Sequence, residues 1–73
     1  MTFRLYQEIE LQTTLPALGL SVGARGVIVD EYHAPYHAYE IEFVNEDGET
    51  IGCASVRPEQ IAEAHVMPLR LAA

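Results

Sequence analysis

Residues 38–56 read AYEIEFVNEDGETIGCASV, and their pattern decides the fold. From Ala38 to Val44 the side chains alternate. Tyr39, Ile41 and Phe43 point one way and Glu40 and Glu42 the other, which is the period of a half-buried strand. NEDGE follows, where Asp47-Gly48 predicts a hairpin turn with the glycine in the left-handed region. TIGCASV is then the returning strand. A type I turn with a glycine bulge at EDG pairs Phe43 with Ile51 and Ile41 with Cys53. In that register Cys53 points inward as a small buried apolar residue.

Upstream of this hairpin, VIVDEYH (Val27 to His33) predicts a further strand. Joined to the next strand by four residues, it would place Val27 and Val29 on the side of Glu40 and Glu42. A shift of one residue sets them beside Ile41 and Phe43, which makes a credible core and requires an odd loop, Ala34 to Ala38, or a bulge. Val29 then faces Phe43, Glu31 faces Ile41 and His33 faces Tyr39. The opposite face carries Asp30, Glu40 and Glu42 beside the small Gly52 and Ala54. Such a face can accept a basic partner, although a solvated, aggregation-resistant surface is the preferred reading.

The remaining chain completes a small barrel. LYQEIELQ (5–12) reads as a first strand, with Leu5, Ile9 and Leu11 on one side and Glu8, Glu10 and Gln12 on the other. In TTLPALGLSVGARG, Pro16 and several glycines interrupt regular structure, while Leu15, Leu18 and Leu20 are apolar enough to fold back over one end of the core. Gly19 is placed to close a helical turn at PAL. RPEQIA suits a helical or 3₁₀ turn opened by Pro58 and anchored by Ile61, before a short last strand near Ala64 to Val66. The expected fold is all-β, a five-stranded SH3-like barrel over 1–65. An apolar tail, 66–73, packs on the barrel or on a second subunit.

The segments LPALGLSVGARGVIVDEY, AYEIEFVNEDGET and RPEQI, in this order and spacing, resemble a family of small bacterial proteins catalogued as domain of unknown function 4926. With the first strand they span most of residues 5 to 65. The Gly-x-x-Gly-hydrophobic opening GARGV is shared with many SH3-like barrels. The resemblance implies the fold and supplies no activity, catalytic residue or ligand set. The loop HAPYHA departs from the pattern in its histidines and aromatic residues.

Composition narrows the function classes. The formal net charge is -7, with no lysine, and Arg4, Arg25, Arg57 and Arg70 lie far apart, so neither a nucleic-acid partner nor an anionic membrane surface is expected. The start MTFRLYQEIE lacks the apolar run of a signal peptide and no stretch reaches a membrane span, which makes a cytoplasmic protein the expectation. Cys53 is the only cysteine, so no internal disulfide forms. No cofactor is expected, since GLSVGARG lacks the lysine of a phosphate-binding loop. Ser55, Thr13 and Thr14 carry no signature of an activated nucleophile.

Two surface readings remain. His33 and His37, with Glu31 or Asp30 and with His65 as a further contributor, can bind a zinc- or nickel-like ion, against the plainer reading of a solvated loop. Tyr6, Tyr32, Tyr36 and Tyr39 supply aromatic surface beside Asp30, Glu40 and Glu42, which suits protein contacts. Phe3 and Leu5 at one terminus and Val66, Met67, Leu69 and Leu71 at the other either cover the open barrel end or exchange between subunits, with exchange preferred. The expected function is a non-enzymatic interaction module forming a homo-oligomer, a dimer first, with its protein partner unidentified. The alternatives are a metal-responsive accessory domain and an acidic antitoxin or immunity-type inhibitor of a basic partner.

Overall fold

In the computed structural model, which describes residues 3–64, strand β3 spans Ala38–Val44 and β4 spans Thr50–Val56, both as expected from their sequence. The turn between them is organised by Asn45, whose Oδ1 accepts the backbone N–H groups of Asp47 and Glu49, both at 2.9 Å. Gly48 sits at φ 82°, a conformation that disfavours any side chain.

Before the hairpin come β1 (Glu8–Leu11) and β2 (Arg25–Tyr32), and after it β5 (Ile61–Glu63). All pairs are antiparallel, in one sheet of order β4-β3-β2-β1-β5. Two 3₁₀ turns, Pro16–Leu18 and Pro58–Gln60, are the only helical pieces among the described residues. This is an SH3-like all-β arrangement in which β4 and β5 form the two ends of the sheet and are not hydrogen-bonded to each other. Among the described residues the barrel is therefore open along that seam.

Both 3₁₀ turns form where proline presets the backbone. Pro16 opens the first, and Gly19 closes it at φ 67° with its N–H on the Pro16 carbonyl. Leu15 and Leu20 bridge across it and pack against the core, as the loop reading requires. Leu18 remains 39% exposed and does not join the core. Pro58 opens the second turn, and the Gln60 side chain accepts the Arg57 N–H at 2.7 Å.

The core holds Phe3, Ile9, Leu11, Ile28, Tyr39, Ile41, Phe43, Val56 and Ile61. Burial of each large apolar side chain contributes about 1.5–3 kcal/mol. Phe3 closes one end of the barrel in its own chain, edge-on to Tyr39 with ring centroids 5.6 Å apart. Its backbone N–H points at the Tyr39 hydroxyl at 3.4 Å.

Several register expectations are overturned, each by a bulge or a turn. Val29 is an extra residue in β2: Ile28 pairs with Ile41, and Asp30 with Glu40. Ile28 thus fills the core, while Val27 and Val29 are not in it. Glu31 faces Tyr39 and not Ile41. Similarly, Phe43 pairs with Gly52 and Val44 with Thr50, which leaves Ile51 as the inserted residue of β4. Gly52 and Ala54 turn inward, and Cys53 pairs with Glu42 on the outside, exposed and not buried as expected.

At the amino end, Leu5 does not share the face of Ile9 and Leu11. The chain turns at Leu5 and Tyr6, fixed by Gln7 N–H to Arg4 O at 3.1 Å and Tyr6 N–H to Ile28 O at 2.7 Å. Leu5 is consequently 50% exposed. The last strand starts directly after the 3₁₀ turn, with Ile61 opposite Leu11, three residues before the expected Ala64. Its expected end, His65 and Val66, lies outside the described residues.

Candidate functional site

The β2–β3 hairpin loop carries the densest chemistry, and the β2 bulge determines which side chains meet there. Alternation in an unbulged strand would send Asp30 inward after Ile28. The inserted Val29 reverses the parity beyond it, so Asp30 joins Glu40 and Ser55 on the outer face. Glu31 instead shares the inner face with Tyr39 and Val56, at the end of the barrel.

The loop then turns through a cis Ala34–Pro35 bond and brings both histidines over Glu31. His37 Nε2 lies 2.8 Å from Glu31 Oε2, and His33 Nε2 lies 3.8 Å from the same oxygen. The imidazoles stack with 9° between their planes and centroids 5.5 Å apart. The His37 ring also rests against Tyr39 at 4.9 Å. Three ligand atoms, one each from Glu31, His33 and His37, all lie within 4.8 Å of one another. The structure therefore assembles three of the sequence candidates and sends the fourth, Asp30, to the other face. His65 lies outside the described residues.

The tyrosines divide. Tyr39 is fully buried and belongs to the core, which removes it from the expected contact surface. Tyr36 is 53% exposed, and the Arg57 guanidinium covers its ring at 4.7 Å, tying the loop to the end of β4. Tyr32 donates to Glu40 Oε1 at 3.3 Å. Its phenol pKa is raised from the ordinary tyrosine value, first by partial desolvation and then by the negative charges of Glu40 and Asp30 and the Glu40 hydrogen bond.

On the outer sheet face, Glu42 stands beside Cys53 and Glu40 beside Ser55, where Gly52 and Ala54 were expected. The Thr50 hydroxyl donates to Glu42. β4 itself, the end strand, carries no charged residue and no proline over seven residues. Ile51 on it is 50% exposed. The sequence reading missed this edge, because β4 gives no sign in its own residues that no described strand pairs beyond it. Met67 and Leu69, the expected tail contacts, lie outside the described residues.

A shallow cleft of about 410 Å³ opens elsewhere, between Arg25 and the Asn45–Gly48 turn. Its lining has carboxylates and one guanidinium but no histidine, serine, threonine or cysteine. Among the described residues, no helix is long and apolar enough to cross a membrane.

Fold and surface together define a small SH3-like all-β domain with one acidic sheet face and one uncharged edge. The chain belongs to the family described as Domain of unknown function (DUF4926), whose model matches residues 5–63. No curated protein and no solved structure is significantly similar to it.

Proposed function

We propose that the protein is a non-enzymatic interaction module that self-associates by pairing β4 with β4 of a second copy. The observation that carries this reading is the asymmetry of the two sheet ends. β5 is three residues long and ends on Glu63, a short and charged edge of the kind that resists further pairing. β4 offers seven residues of TIGCASV without a charge or a proline, its one irregularity the bulge at Ile51, and no described strand pairs with its outer side.

The flanks of β4 support the same partner. Glu49 precedes the strand and Arg57 follows it, with Cys53 midway between them. An antiparallel pairing about a twofold axis at Cys53 sets each Glu49 opposite the second copy's Arg57, and each Ile51 opposite the second copy's Ser55. Opposite charges at facing positions favour that register. A strand whose two ends are complementary in this way matches itself, which is what a twofold interface requires.

Sedimentation velocity on the full chain tests the reading. The wild type is expected as a dimer, and Ser55→Lys as a monomer with an unchanged circular dichroism spectrum, because Ser55 is exposed and its replacement would stand opposite Glu40. If removal of residues 66–73 yields monomers while Ser55→Lys remains dimeric, the interface lies in the tail and the β4 reading is wrong.

A further inference from the structure

We propose that Glu31, His33 and His37 form a binding site for a divalent transition-metal ion of the zinc and nickel class. This site lies at the barrel end and is separate from the β4 edge, so neither proposal depends on the other.

The argument starts from the donor set. Two imidazoles and one carboxylate suit borderline cations, whereas calcium and magnesium favour oxygen-only shells. The three candidate ligand atoms already lie within 4.8 Å of one another. Tetrahedral coordination at about 2.0–2.2 Å places ligand atoms roughly 3.3–3.6 Å apart. His37 and Glu31, at 2.8 Å, need to separate slightly, and His33 and Glu31, at 3.8 Å, need to close slightly.

Those movements are within easy reach of surface side chains. The His33 side chain is 78% exposed and His37 43% exposed, so their rings can tilt out of the stacked arrangement without moving a core residue. The backbone beneath them is fixed more firmly. Glu31 is paired with Tyr39 in the β2–β3 ladder, and the His37 ring leans on the buried Tyr39 ring. Tyr39 thereby acts as a supporting wall that limits where His37 can go, the role that outer-shell contacts have in metal sites. The remaining coordination positions face solvent and are open to water.

The bulge at Val29 is what makes the site. With the Ile28–Ile41 pairing kept and no inserted residue, Asp30, and not Glu31, would share the face of Tyr39. The insertion lets Ile28 and Glu31 both occupy the inner face of β2, and so sets the Glu31 carboxylate beneath the loop that carries the two histidines.

Isothermal titration of zinc chloride into chelator-stripped, untagged full-length protein tests the proposal. One equivalent of zinc per chain is expected, or one ion shared by two chains, with no heat from calcium chloride. His33→Ala and His37→Ala are each expected to weaken zinc binding at least tenfold, and Glu31→Gln to weaken it as well, with circular dichroism confirming that each variant is folded. His33→Ala alone suffices should the His37 variant fail to fold, since His33 makes no core contact. His65→Ala is expected to bind as the wild type does. Absence of zinc and nickel binding at millimolar ion overturns the proposal. So does a folded His33→Ala variant that binds zinc as tightly as the wild type.

Discussion

Ile28 faces Ile41 directly across the β2–β3 ladder, and both side chains are fully buried. Their pairing fixes which side of β2 is core, because Val29 is then the inserted residue and stays outside. Ile28→Ala should destabilise the domain by about 2–5 kcal/mol, the usual cost of deleting a large buried aliphatic group. Val29→Ala, at a position 36% exposed, should cost less than about 1 kcal/mol. Urea unfolding of the two variants distinguishes the registers; equal losses would place Val29 in the core and contradict the bulge.

Gly26 and Gly48 are both replaceable by alanine on paper, but for opposite reasons neither is neutral. A Cβ at Gly26 would meet Ile41 Cγ2 at 2.5 Å and the Glu42 carbonyl oxygen at 2.8 Å. The second contact is backbone and cannot step aside, so Gly26→Ala should cost about 1–3 kcal/mol through overpacking. Gly48 has open space around it and only its φ of 82° to oppose a side chain, for a loss of about 1–2 kcal/mol. Since 1 kcal/mol corresponds to about 4–8 °C for a domain of this size, thermal melts should detect both changes. Ile41→Val should not rescue Gly26→Ala, because valine keeps the Cγ2 methyl that the new Cβ meets and the Glu42 carbonyl stays in place.

Cys53 lies outside the core beside Glu42. A thiol reagent should therefore label it completely in dilute native protein, at a rate that urea changes little. Labelling that waits for global unfolding would return Cys53 to the interior and invalidate the β4 register.

Tyr32 should titrate above an ordinary tyrosine, because its phenolate would be partly desolvated and set against Glu40 and Asp30. The sign follows from linkage. Below the ordinary tyrosine pKa both folded and unfolded forms hold the proton, and the contribution to stability is fully present. As pH rises, the unfolded chain loses its proton first, so stability falls until the folded Tyr32 has ionised too. Glu40→Gln should lower the Tyr32 pKa, followed by ultraviolet absorbance of a variant in which Tyr6, Tyr36 and Tyr39 are phenylalanine; an unmoved titration would separate Tyr32 from Glu40.

Sequence alternation located β3 and β4 to their end residues because Tyr39, Ile41 and Phe43 are large and Glu40 and Glu42 charged, leaving one plausible face. It was silent at Val27-Ile28-Val29, where three consecutive β-branched residues fit either parity and an inserted residue leaves no mark. At β4 it pointed to the wrong side, since Ile51 and Cys53 are more apolar than the Gly52 and Ala54 that actually turn inward. The bulge at Ile51 sets that parity, and the Leu18 side chain from the first loop lies over Gly52, neither of which shows in the strand itself. Glu31, His33 and His37 were identifiable by residue type. Their convergence was not, because it depends on the same bulge that the alternation hides. The β4 edge was hidden for a different reason: an unpaired edge is a property of sheet order, and no local pattern encodes it.

The most direct test of the central claim, that two copies meet along β4, is to oxidise dilute untagged protein with a mild thiol oxidant and weigh the product by mass spectrometry. Pairing centred on Cys53 sets the two thiols at directly opposed positions, where a non-hydrogen-bonded pair brings the Cβ atoms to about 4.5 Å, the upper end of disulfide geometry. The account predicts rapid conversion to a disulfide-linked dimer, slowed at least tenfold by Ser55→Lys. A chain that remains monomeric under these conditions, or that cross-links equally fast with lysine at position 55, would contradict it.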